Sequence, residues 1–352
     1  MKQILIAWLV LALSLGTGIA RADKLRVITW ADYVPADLIA AFKKETGIDV
    51  EVTLSNNEEI ISKLRATGGA GFDLAQPSQD RIMAAQREFG IYKPFDLTKI
   101  KLDQFQPVFL DLVRKNTTVD GKVYGLPYLW GTDGLVVNSK RAKVADYPDL
   151  CRPDLKGKTA VRLKRPTLMA FAFAAGKDPF ALYGDTKAYG ALMDQVGATL
   201  IACKANFKFF YDNKDQVLNG IRTGEVTAAM MWDTGGWTLN RENPDIQFVV
   251  PRSGSLGWLD TFALPARGRN DAAVYAWINF TMRPENAARV IKSVGSFSAA
   301  ANTTALIDPR LRAQYAAAFP NNDLKAIHWY PAIPPGLEEM EGRVLDRVKA
   351  AD

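Results

Sequence analysis

The stretch GWLDTFALP (257–265) sets Asp260 two residues after Trp258 in an otherwise apolar, strand-like run. A carboxylate there is costly unless it is paired or reached by water. An indole face attracts cations and a carboxylate accepts a charge-assisted hydrogen bond, so the two suit an ammonium group. Trp30, Ser78 and Trp232 also stand at the ends of strand-like runs, where α/β folds form ligand clefts. Other chemistries lack their residues. His328 is the single histidine, which excludes a histidine-based triad and a multi-histidine metal site. No phosphate-cradling glycine motif or Asp-rich calcium loop occurs, and GGAGFD (68–73) precedes a strand, where it reads as a helix end and turn. No cofactor and no metal are expected. A secreted carbohydrate-active enzyme with paired carboxylates stays open as an alternative, although no spacing nominates a pair.

These residues must be held by the elements around them. LRVITW (25–30), IDVEVTL (48–54) and FDLAQPS (72–78) read as strands, each followed by a helical stretch: 35–47, 56–69 and 79–90. That βαβαβα order predicts a parallel sheet with helices on its faces. The pattern restarts with the strand KTAVRL (158–163), the helices 166–176, 186–200 and 215–225, and the strand VTAAMMW (226–232). The expectation is an α/β chain of two lobes. GLPYLWGTDGLVVNSK (125–140) and the opening stretch read as extended crossings between them, which makes each lobe discontinuous with a cleft between.

Residues 1–22 have a basic start, a short apolar core and Ala20-Arg21-Ala22, the layout of a secretory signal peptide cleaved near Asp23. The remaining chain is about 330 residues, more than one core usually holds. Without residues 1–22 the net charge falls from +6 to +4 with no basic cluster, which argues against nucleic acid. The expected product is soluble and exported. Cys151 and Cys203 are the only cysteines; in an oxidising compartment they are candidates for one disulfide, with two separate thiols as the alternative.

Six segments, in order, resemble the spermidine/putrescine-binding periplasmic proteins of bacterial ABC importers: TWADYVPADLIAAFKKETGIDVEV (29–52), FDLAQPS, YGLPYLWGTDGLVVN, GEVTAAMMWDTGGW, GWLDTFALPA and WINFTMRPENAARVIKSVG (277–295). The resemblance implies a two-lobe periplasmic-binding-protein fold of type II, with a hinge and an interlobe cleft. It places lobe 1 at 23–133 and 259–302, and lobe 2 at 134–258 and 303–352. It also implies a monomeric, non-enzymatic periplasmic chain that works with an inner-membrane permease and its ATPase. An exported ligand sensor is the alternative within the same fold. By position, Trp30, Asp32, Tyr33 and Ser78 would come from the first lobe, and Trp232, Trp258 and Asp260 would form the second aromatic-and-acid group. Asp32 could instead cap the helix near Pro35. Asp80 and Asp233 are further candidates, with helix capping or an outward-facing side chain as alternatives.

The chain departs from that family after KTAVRL, where further acids are expected and Arg162, Lys164, Arg165, Pro166 and Thr167 stand instead. Trp329 and Tyr330 fall roughly where a family polar contact would lie. Repulsion between like charges at that end disfavours a long polyamine. A zwitterion such as γ-aminobutyrate fits, with Arg162 or Arg165 orienting its anionic end. A short diamine such as putrescine, held by Asp32 and Asp260, also fits.

Overall fold

The computed structural model describes residues 24–319, 324 and 327–351; the signal-peptide reading lies outside the described residues. β1 (Lys24–Thr29), β2 (Asp49–Leu54) and β3 (Leu74–Ala75) form a parallel sheet in the order β2-β1-β3. Helices Ala36–Thr46, Asn57–Thr67 and Gln79–Phe89 connect and cover these strands. The first buries Leu38 and Phe42 and stops at Gly47, whose φ of +75° favours glycine. The second starts at Asn56, whose side chain accepts from the Glu59 N–H at 3.0 Å.

β4 (Tyr92–Lys93) and the hairpin of β5 (Thr118–Val119) with β6 (Lys122–Val123) lead to the long strand β7 (Leu126–Asn138). All but the last of its thirteen residues are buried. The cause is its central place in an eight-stranded sheet with β8 (Thr159–Val161), β9 (Phe207–Phe210), β10 (Ala228–Trp232), β11 (Ile246–Val249), β12 (Ser255–Phe262), β14 (Phe297–Ser298) and β15 (Ile327–Trp329). β13 (Leu264–Pro265) pairs with β4. The strand expected at 72–78 contracts to two residues and that at 158–163 to three.

Two cores flank the crossing. Leu126, Tyr128 and Trp130 of β7 and Leu259 and Phe262 of β12 belong to the first, with Leu25, Phe42 and Trp277. Leu135 and Val137 of β7 and Leu256 of β12 belong to the second, with Leu168, Tyr189 and Met230. Both strands therefore run from one core to the other. The chain returns once more after β15, since Ile327 lies in the first core and Tyr330 in the second. Leu311 and Phe319, within the stretch 303–352 that the resemblance places in the second lobe, pack in the first core. Cys151 and Cys203 are joined by a disulfide with Cα atoms 5.0 Å apart, tying the turn Tyr147–Cys151 to the end of helix Thr186–Ala202.

Candidate functional site

Between the cores lies a cleft of about 380 Å³, a volume suited to a small solute. β12 delivers Asp260 to its floor. The carboxylate accepts hydrogen bonds from Ser78 Oγ at 2.5 Å and from the Tyr33 hydroxyl. Ser78 is fixed in turn by Asn57, which donates to its hydroxyl and accepts from its N–H, both at 2.9 Å. Tyr33 is held by Tyr128, whose hydroxyl donates to the Tyr33 carbonyl at 2.6 Å. Burial pushes Asp260 up to about 7 although both hydrogen bonds favour its charged form, and nearby Asp80 raises it further. No lysine or arginine pairs with it among the described residues. It is a desolvated carboxylate, oriented and short of a cation.

Aromatic walls surround it. Trp30 is anchored through Nε1 to the Gln76 carbonyl at 2.9 Å and sits 6.4 Å from the Tyr33 ring. Trp258 and Trp232 line the same space. The Trp258 indole lies against Gly131, its partner across β12 and β7. A Cβ at Gly131 would come within 2.9 Å of Trp258 Cε2 and 2.8 Å of Ser296 Oγ. Gly131→Ala is therefore expected to push the indole off its wall and weaken ligand binding by about tenfold. Titration calorimetry reads the loss and tryptophan emission the displaced ring; unchanged values for both would refute the fit.

The remaining expected residues separate into groups. Asp32 does not cap the helix: that position falls to Pro35 with no side-chain bond, and Asp32 adopts φ +66°. Its carboxylate instead stands 3.8 Å from Lys214 Nζ. Asp80 lines the cleft and pairs with Arg81 at 3.3 Å. Arg162 reaches the cleft over the Trp232 ring, 4.8 Å from its centroid. Arg165 is buried and already bound, with Nη1 at 3.0 and 3.3 Å from the two Glu341 oxygens. Tyr330 lines the cleft with its ring 5.5 Å from the Arg165 guanidinium. Asp233 is not brought to the cleft. It is buried behind β7, accepting from Thr132 N at 2.8 Å and Thr234 N at 2.7 Å, so it anchors the start of helix Asp233–Glu242. His328 stacks on Phe173 at 3.6 Å and contacts the Ser253 carbonyl, a packing role.

Several residues escaped the sequence reading. Asp133, in the middle of β7, lines the cleft and is pushed up to about 7 by burial, with Arg162 pulling the other way. The stretch 125–140 reads as an extended crossing, but nothing in it marks which face Asp133 takes. Arg81 and Lys214 bridge the two lips of the cleft, Arg81 to Glu338 and Lys214 to Asp32. Glu341, from helix Leu337–Ala350, closes the Arg165 pair. These last three look like ordinary helix-surface charges until the fold docks their partners.

The whole-chain comparisons agree with this architecture. Residues 37–318 match the family model described as bacterial extracellular solute-binding protein. The putrescine-binding periplasmic protein PotF of Escherichia coli is 26% identical, covering 98% of this chain and 96% of that protein. Among solved structures, a spermidine/putrescine ABC transporter substrate-binding protein of Streptococcus pneumoniae superposes with a TM-score of 0.77 at 23% identity, over 93% of this chain and 99% of that one. A structure described as the Atu4243–GABA receptor gives 0.72 at 16% identity, over 93% and 97%. With two lobes, three crossings and an interlobe cleft in place, the chain belongs to the bacterial extracellular solute-binding protein family.

Proposed function

We propose that this chain is the periplasmic substrate-binding component of an ABC importer. It takes a small amine-bearing solute into the cleft and presents it, as a monomer, to a permease and ATPase on separate chains. The observation that carries the amine is Asp260, a buried carboxylate without a cationic partner among the described residues, ringed by Trp30, Tyr33 and Trp258. An ammonium there gains a charge-assisted hydrogen bond and an indole face. Relatives support the reading: PotF is named for putrescine and a second E. coli relative, 29% identical, for spermidine and putrescine. Export fits their periplasmic names, and no helix among the described residues is long and apolar enough to cross a membrane.

The weakened acidity of Asp260 gives the test a sign. Asp260 is about 7 when unliganded, and a bound ammonium favours its ionised form. Amine binding then releases a proton near neutrality and weakens as the pH falls through 7. Affinity at pH 6 is expected to be about tenfold below that at pH 8. Calorimetry in buffers of different ionisation enthalpy measures both the affinity and the proton. If putrescine, spermidine, γ-aminobutyrate and simple alkylamines all fail to bind at either pH, the reading is wrong.

A further inference from the structure

Among the described residues, five basic side chains line the cleft, and four of them have carboxylate partners. Arg165 pairs with Glu341, Arg81 with Glu338 and Asp80, Lys214 with Asp32, and Lys164 with Asp212. Arg162 is different. Its guanidinium covers the Trp232 ring and, among the described residues, stands in no ion pair with a carboxylate. Asp133 lies within its electrostatic reach, yet the two form no ion pair. Two consequences follow for a ligand whose ammonium lies at Asp260. The Trp232 face, the natural place for a second ammonium, is already taken by a cation. And the cleft offers at that point a guanidinium without a carboxylate partner among the described residues, a fork whose geometry matches a carboxylate.

We infer that Arg162 is the specificity-determining residue of the cleft, seating the anionic end of a two-signed solute of the ω-amino-acid class. The inference rests on the amine-binding reading above. Arg165, the other candidate in RLKRPT, has its guanidinium committed to Glu341 and Tyr183. Asp133 supports the seat: near neutrality it is partly protonated, and the acid form can donate to the same carboxylate. A diamine would instead place its second positive charge against Arg162.

The test is titration calorimetry of the mature protein at pH 8 against 4-aminobutanoate, 1,4-diaminobutane and butylamine, with their five- and six-carbon homologues. The best ω-amino acid is expected to bind at least ~10-fold more tightly than the diamine of equal length. In Arg162→Met the ratio of amino-acid to alkylamine affinity collapses towards unity. In Arg162→Lys, which keeps the charge and loses the fork, it falls part of the way. Asp133→Asn removes a negative charge beside the bound carboxylate and tightens the amino acid at this pH. Thermal melts of each variant separate lost folding from lost preference. A diamine that binds more tightly than the amino acid, with Asp133→Asn abolishing that advantage, would overturn the inference and make Asp133 a second ammonium seat. If none of the three series binds, the amine-binding reading itself falls, and this inference with it.

Discussion

Asp260→Asn will lose amine binding by at least ~100-fold and, unliganded, will melt at a higher temperature than the parent at pH 8. The two effects have one cause. Burial raises Asp260 from an ordinary carboxylate value to about 7, which corresponds to about 4 kcal/mol at most in the cost of its charged form. With the folded value raised, the group's contribution to stability is fully present at acid pH below its unfolded value and is lost as the pH rises through 7. The ionised carboxylate is therefore a burden on the empty protein at pH 8. An amide keeps an acceptor for the Tyr33 hydroxyl and a partner for Ser78 while removing the charge. The expected gain is ~3–6 °C in Tm, fading towards pH 4. Binding goes the other way, because the amide cannot offer an ammonium a counter-charge. Calorimetry and melts at pH 4.5 and 8 measure both. A variant that binds amines like the parent, or melts lower at pH 8, would show that Asp260 is a structural acid.

Glu341→Ala will destabilise the protein by about 3–5 kcal/mol. Glu341 and Arg165 are almost completely buried, and the Glu341 carboxylate also accepts from the Tyr189 hydroxyl at 2.5 Å. Removing it leaves a guanidinium enclosed by Tyr183, Tyr330 and the second core with no ion-pair partner. The double change Arg165→Met, Glu341→Met deletes both charges and is expected to recover most of the loss, since the desolvation cost disappears with the pair. Urea denaturation reads both. A Glu341→Ala loss under about 1 kcal/mol would mean that water reaches the pair and screens it.

The parts of the fold legible in the sequence were those with a local cause. Helix Ala36–Thr46 shows its apolar face and its terminal glycine, and the first βαβ order allows little but a parallel sheet. Asp260 and Trp258 were legible because a carboxylate in an apolar strand is anomalous wherever it sits. Asp133 is as buried as Asp260, but its neighbours Thr132 and Gly134 carry no aromatic that would mark it as a cleft acid, although the extended course of β7 itself was legible. The fate of RLKRPT was not decidable from residue type. Arg162 and Arg165 are three positions apart, yet one faces Trp232 and the other is buried against Glu341, 176 residues away. Only the docking of helix Leu337–Ala350 distinguishes them. Asp233 shows the same limit: next to Trp232 in sequence, it turns behind the strand to hold Thr132 and Thr234.

The side-by-side passage of β7, β12 and β15 between the cores has a mechanical consequence. A single connecting strand would let the lobes swivel about it, whereas a hydrogen-bonded ribbon several strands wide bends across its width and resists torsion. The lobes then move along one arc, without sideways shear. In this arrangement Lys214 meets Asp32 and Arg81 meets Glu338 across the rim, so the chain's own charges align the two lips without a bound solute. The exposed Lys214–Asp32 pair contributes little to holding the jaws shut, about 0–1 kcal/mol, whereas Arg81 is largely covered where it meets Glu338. The ribbon supplies the trajectory, and the solute supplies the energy that keeps the molecule at its end.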